Sequence, residues 1–400
     1  MDLTPAEELG RRIVKLQERM AAMLWDAAII ILVADLFYFS GTAQDGALVV
    51  PRSGDPVLLI RKSLTRARQE SRLPVIKPLR SVSRLREALS DAGEVPLNTV
   101  GLEMDVVPAA TYLRLVKQFP DTQWVDASGL VRDIRMVKSA YEIERMRRAA
   151  GQLRIMFDRV PEILRVGLRE IDVSAELEAV LRRQGHQGTI RIHKWNSDFH
   201  YGPISSGPVG SYPHAFDGPV GTQGLYAAMP QGAGSRVIGP NDPVMIDFVS
   251  GYSGYHVDQT RMFSLGPVDE KLAEAHEFAL GVMRKIEDRL RPGVRCSDIY
   301  EDIIADVGDH PCAPYLMGHG ENRVRFFGHG VGLELDELPV IAPRFEVPLE
   351  PGMTIAIEPK VFLPDLGGVG VENTYLVTED GFEKLTTNDE AIRDCAAGRS

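Results

Sequence analysis

The chain has 400 residues, of which 44% are hydrophobic and 25% charged, and a formal net charge of −11. These are the proportions of a soluble globular protein long enough for two or three domains, and the negative balance argues against a nucleic-acid partner. Cys296, Cys312 and Cys395 are scattered, which gives neither a disulfide framework nor a metal spacing and fits a reducing cytoplasm.

In chain order, residues 5–24 have helical periodicity, with Leu9, Ile13, Leu16 and Met20 on one face. Met1 is followed by acidic and polar residues rather than a basic-then-apolar leader. The run WDAAIIILVADLFYF is too short and too interrupted to span a bilayer. It reads as a buried strand over 27–33 and its flank. Leu36, Phe37, Tyr38 and Phe39 in that flank are either a patch for a partner chain or the end of a core strand. GALVVP and DPVLLIRKS are strands around a PRSGDP turn, TVGLEM is a strand and VPAATYLRLVKQFP a helix. This alternation predicts an α/β N-terminal domain over residues 1–132.

VRDIRMVKSAYEIERMRRAA predicts a helix entering a second domain, 133–400, with Ser139 as N-cap and Glu142 as its reciprocal partner. Further helices are expected near 141–160, 170–184, 269–290 and 296–307, with strands between and after them. That is an α+β pattern, a curved antiparallel sheet backed by helices. The arginines of 141–160 read as a solvated face. Gly318, Gly320, Gly328, Gly330 and Gly332 lack the spacing of a dinucleotide loop. Residues 186–242, rich in Gly and Pro, form a long connection, and such loops are often functional. They carry His186, His193, Trp195, His200 and His214, and this stretch is expected to line a site entrance.

Five residues carry the chemistry. Asp247 interrupts the apolar run VMIDF, and Asp258 precedes its partner strand QTRMFSLG across SGYSGY. Glu358 lies in TIAIEP, Glu372 in VGVENTYLVTEDG, and His329 between Gly328 and Gly330. Singly, each has a plain reading as an edge residue, a turn or a cap. Jointly they are harder to dismiss, because an unpaired carboxylate in a core costs several kcal/mol. Four carboxylates and one imidazole can hold two divalent ions side by side, and such a pair can clamp both oxygens of a displacement.

The order of these segments — Asp, Asp eleven residues on, H-G-x-G, I-E-P and V-E-N-T — resembles the pita-bread metallopeptidases, which include methionine aminopeptidase, aminopeptidase P, prolidase and the non-metal creatinase. R-x-x-K-S-x-x-E-I resembles the linker of their two-domain members. The resemblance implies that Asp247 chelates one ion, that Asp258 and Glu372 bridge both, and that His329 and Glu358 complete the other. It also makes Glu358 the proton acceptor. SSGPVGSYPHAFDG resembles the segment that places a histidine, here His214, beside the substrate, with His200 the next candidate. A plain loop histidine is the alternative for His214. The chain departs from the pattern twice. Asp336 stands where a second His is common, and Gly370 where proline-specific members carry Arg.

The expected function is therefore hydrolysis of N-terminal peptide bonds in small peptides, of the Xaa-Pro aminopeptidase or dipeptidase type, by a cytoplasmic homodimer with two ions of Mn, Co, Fe or Zn per chain. Ligand hardness favours Mn²⁺ and the affinity order favours the others. A C–N hydrolase or lyase on the same scaffold, or a metal-binding module without catalysis, are the alternatives. Asp336 is expected either to be held protonated or to face a substrate ammonium.

Overall fold

The computed structural model describes residues 2–90, 96–194, 198–214 and 216–396; Trp195 lies outside them. The chain divides into compact units Met1–Arg135 and Met136–Ser400.

The first unit is one mixed sheet, β4-β3-β2-β1-β5-β6, formed by β1 (Ala27–Ile30), β2 (Gly46–Pro51), β3 (Val57–Ile60), β4 (Val75–Pro78), β5 (Thr99–Leu102) and β6 (Gln123–Asp126). β1 is central and wholly buried, antiparallel to β2 and parallel to β5. The helix Ala6–Ala22 buries Leu9, Ile13, Leu16 and Met20, the predicted face. The apolar run after Trp25 is not one strand with a loose flank. The N–H groups of Ile31 and Leu32 donate to Glu103 Oε2 at 2.7 and 2.9 Å, which takes the chain out of the sheet. A helix, Val33–Ser40, follows and stops at Gly41 in the left-handed region (φ 75°). Leu36, Tyr38 and Phe39 are buried, so of the two readings of this flank the structure favours the core one, on a helix rather than at a strand end.

The predicted helix over 131–150 is two helices, Ser128–Met136 and Ala140–Ile163. Between them Val137 bridges Met353, and the Lys138 N–H donates to Gly352 O at 2.8 Å. The second helix starts with the expected reciprocal cap. The Glu142 N–H donates to Ser139 Oγ (3.4 Å) and the Ser139 N–H to Glu142 Oε2 (2.9 Å).

The strands of the second unit are β7 (Ile204–Ser206), β8 (Pro243–Tyr252), β9 (Tyr255–Ser264), β10 (Gly328–Gly330), β11 (Glu337–Ile341), β12 (Thr354–Ile357), β13 (Lys360–Leu363), β14 (Gly367–Gly370), β15 (Asn373–Val377), β16 (Phe382–Lys384) and β17 (Arg393–Asp394). They pair as β17-β9-β8-β7, as β11-β10-β12-β15-β16 and as β13-β14. All pairings are antiparallel except β17 with β9. Helices Glu270–Glu287 and Cys296–Val307 share one core with these strands, with Ala279, Met283, Ile299 and Ile303 clustered with Ile355, Ile357 and Tyr375.

Candidate metal centre

β8 and β9 join through Ser253 and Gly254, both at positive φ (49° and 90°), a primed turn that matches strand twist. The register sets Asp247 opposite Thr260 and Asp258 opposite Val249. The two aspartates are therefore diagonal neighbours on one face. His329 is the middle residue of β10, opposite Ala356 of β12. Glu358 follows β12, and its N–H donates to Phe327 O at 2.9 Å. Glu372 lies between β14 and β15, where Thr260 Oγ1 donates to its Oε2 at 2.8 Å.

Two buried side chains hold these segments in register. Arg261 donates to Glu372 O and Asn373 Oδ1, both at 2.7 Å, and so ties β9 to the segment bearing Glu372. The His256 N–H donates to Gly332 O and its Nδ1 lies 3.0 Å from the same oxygen, which pins β9 to the loop after His329. Burial pushes His256 down to about 4, so it is neutral at pH 7.

The structure brings all five predicted residues together. Ligand-capable atoms of Asp258, His329 and Glu372 lie within 4.8 Å of one another, and those of Asp247, Glu358 and Glu372 do likewise. Glu372 belongs to both groups. Glu358 groups with Asp247 while its Oε1 stands 3.7 Å from His329 Nε2.

The sequence reading missed one member of this site. Lys360, the first residue of β13, is fully buried and sends Nζ into the second group. It donates to Asp247 Oδ2 and Glu358 Oε2 at 2.8 Å and to Glu372 Oε2 at 3.1 Å. Burial pulls its pKa down, but the three carboxylates hold it well above the usual lysine value. In the first group Lys360 reaches only Glu372, and among the described residues no cationic side chain pairs with Asp258 or His329. Burial, then Glu372 and Asp247, push Asp258 well above the usual carboxylate range. Glu372 Oε1 is buried without a hydrogen-bond partner. Two carboxylates and an imidazole with a bare oxygen suit a divalent cation. The second group's oxygens already serve an ammonium.

The departures also find a place. Gly370 lies opposite Lys360 on β14. A Cβ there would come within 2.6 Å of Lys360 Cα and 2.7 Å of Lys360 Cγ, so no side chain fits at 370 beside this lysine. Asp336 is half-exposed, with Oδ1 3.6 Å from His329 Nδ1. Burial lowers His329, and the charges of Asp336, Glu358 and Glu372 outweigh it and raise the imidazole above its ordinary value.

Of the loop histidines, two are occupied within the fold. His186 is buried, its ring lies tilted against Tyr201 with centroids 4.5 Å apart, and it is pushed down to about 4 by burial. His193 Nδ1 lies 3.2 Å from Glu334 Oε2. His214 accepts from the Phe216 N–H at 2.9 Å and, with His200, lines a small cavity walled by Phe199, Phe216 and Val220. His214 also lines a larger cavity of about 670 Å³, together with Lys194, His319, Arg323, Arg325 and Phe362. Phe362 is two residues along β13 from Lys360, on the same side of the strand, so this cavity adjoins the carboxylate cluster without being lined by it.

The profile of the Creatinase/Prolidase N-terminal domain matches residues 12–137. The Xaa-Pro dipeptidase of Pyrococcus furiosus is 27% identical over 394 residues, covering 96% of this chain and 100% of that protein. A probable dipeptidase PepE of Mycobacterium tuberculosis is 29% identical over 368 residues, 87% of this chain and 86% of its own. Among solved structures, the Xaa-Pro dipeptidase from Bacillus anthracis superposes with a TM-score of 0.81 at 24% identity, covering 96% and 99% of the two chains. The prolidase from Pyrococcus furiosus superposes at 0.75 with 26% identity, over 93% and 99%. These likenesses assign the two-domain pita-bread fold. The profile of metallopeptidase family M24 matches residues 144–379, more than half of the sequence, and the chain belongs to that family of metal-dependent peptidases.

Proposed function

We propose that the chain hydrolyses N-terminal peptide bonds in small peptides, in the manner of an Xaa-Pro dipeptidase or aminopeptidase. The observation that carries this reading is the convergence of Asp247, Asp258, His329, Glu358 and Glu372 on one buried cluster. Asp258, His329 and Glu372 would hold a divalent ion, with Mn²⁺ favoured by the hard oxygen donors. Bound there, the ion supplies Lewis-acid polarisation of a carbonyl and lowers the pKa of water.

The protein's own residues supply the rest. Burial raises the Glu358 carboxyl above its ordinary value, with Lys360 and His329 opposing. That brings it nearer the operating pH, where a group that takes a proton from water and returns it to the leaving amine works best. His214 is the donor placed to steady the oxyanion or leaving nitrogen. The cations around the adjoining cavity, Lys194, Arg323 and Arg325, suit a short substrate with a free carboxylate. A cytoplasmic homodimer completes the reading.

A digest of a peptide library by the Mn²⁺-loaded protein, read by mass spectrometry, tests it. Short peptides with proline in the second position should lose their first residue. A metal-loaded protein that cleaves no peptide removes this reading in favour of a C–N hydrolase or lyase on the same scaffold, which Lys360 favours because it alters the cluster itself.

Asp336 gives a separate test. Its position behind the ring supports a role in orienting an imidazole that would bind the metal, a role whose loss costs about 10–100-fold in metal affinity. At 3.6 Å from Nδ1 it acts through charge, since the shorter contact, 3.0 Å, is to Gly330 O. The effect therefore belongs at the low end, roughly 10-fold. Asp336→Asn should weaken Mn²⁺ binding by that order and slow free-amine and N-acylated peptides alike. A rise in KM confined to free-amine peptides would instead place Asp336 against the substrate's ammonium.

A further inference from the structure

Lys360 is more than a counter-ion. An ammonium has three N–H donors, and Lys360 spends one on each of three carboxylates: Asp247, Glu358 and Glu372. Its side chain is 0% exposed. It enters from the start of β13, directly opposite Gly370, whose missing Cβ leaves the path open. The lysine and the glycine are thus a matched pair, and together they fill one half of the cluster with a fixed positive charge.

The other half is built differently. Among the described residues no cationic side chain is bonded to Asp258 or His329, and Glu372 is divided between the halves. Its Oε2 serves Lys360 and Thr260, while Oε1 is buried with no partner. A second divalent ion among the oxygens of Asp247, Glu358 and Glu372 would have to displace Nζ. It would push a buried ammonium off all three of its hydrogen-bond partners.

We propose that Lys360 Nζ is a built-in cation standing in one of the two ion positions of the cluster, so that the chain binds one divalent ion, at Asp258, His329 and Glu372. This rests on the metal dependence of the proposed function but not on its peptide specificity. It makes Lys360 a residue that sets metal stoichiometry, and it links the second departure, Gly370, to the same device.

The test is metal content. The parent is saturated with Mn²⁺, freed of excess ion and measured by elemental analysis and by electron paramagnetic resonance. One ion per chain and the spectrum of an isolated ion are expected. Two ions per parent chain, or an exchange-coupled spectrum, overturn the proposal while leaving the peptidase reading intact. Lys360→Gly, purified in the presence of Mn²⁺ because three carboxylates then lack their counter-charge, should hold two ions with a coupled spectrum. A folded Lys360→Gly protein that holds one ion shows that the lysine is not what excludes the second, and also overturns the proposal. If that variant does not fold, the parent's stoichiometry and spectrum still decide. A parent with one ion that cleaves no peptide supports the lysine's role and removes the peptide assignment.

Discussion

Asp258→Ala should lose the divalent ion and, with it, activity. Asp258 is the strand residue whose carboxyl is pushed up by burial and by Glu372 and Asp247, with Lys360 too weak to offset them. Its backbone is held firmly, the N–H donating to Thr374 Oγ1 at 2.9 Å and Thr374 Oγ1 donating back to Asp258 O at 2.9 Å. Truncation therefore removes the ligand without freeing the strand. Removing a group that only orients a ligand costs about 10–100-fold in metal affinity, so loss of a direct ligand should exceed roughly 100-fold. Elemental analysis of the reloaded variant decides it, and full occupancy would sink the assignment of Asp258.

The same substitution makes an opposite prediction for the chelated protein. A carboxyl whose folded pKa is raised binds protons more tightly folded than unfolded. Above the ordinary value of 3.8 its ionisation works against folding, and the penalty grows as pH rises. Asp258→Ala removes that penalty. In excess chelator, the difference in melting temperature between variant and parent should shift toward the variant between pH 4 and pH 7. A shift toward the parent would mean that Asp258 is stabilised by a partner other than a metal.

Much of the site was legible because strand periodicity is a strong constraint. A carboxylate inside VMIDF and another across the SGYSGY turn share a face when the turn has an even number of residues, and the two-residue turn Ser253–Gly254 meets that condition. The glycines flanking His329 likewise mark close approach: a Cβ at Gly328 would come within 2.4 Å of Ala356 O.

Lys360 was not legible by type. A lysine opening a strand after proline reads as exposed, and lysine is almost never fully buried unless paired. The available signals were its place two residues after Glu358 and the missing side chain at Gly370. The segment after Trp25 failed for another reason. A continuous apolar run does not distinguish strand from buried helix, and the break came from Glu103, distant in sequence, accepting two backbone N–H groups. For Asp336, counting from a family position gives neighbourhood and not direction. The ladder is irregular between His329 and Gly330 on the β11 side, and Asp336 meets the back of the imidazole.

Glu358→Gln should lower kcat by about 10²–10⁴-fold while leaving the metal in place, the range for losing a general acid–base group. The backbone is fixed by the bond from its N–H to Phe327 O, so the amide occupies the carboxylate's position. One amide oxygen can still accept from Lys360 Nζ, as Oε2 does now at 2.8 Å. The group proposed to hold the ion, Asp258, His329 and Glu372, is untouched. What disappears is the atom that can take a proton, and nothing nearby replaces it. Lys360 is already charged, Asp247 is engaged by the same ammonium, and His329 would be held by the ion. Metal content equal to the parent's, a KM within a few-fold and a collapsed kcat together identify Glu358 as the base. Activity within about tenfold of the parent, below the usual range for such a loss, would move the base elsewhere. Of the groups lining the adjoining cavity, His214 would then be the residue to replace next, because it is a titratable side chain whose pKa burial lowers, which favours the neutral, proton-accepting form.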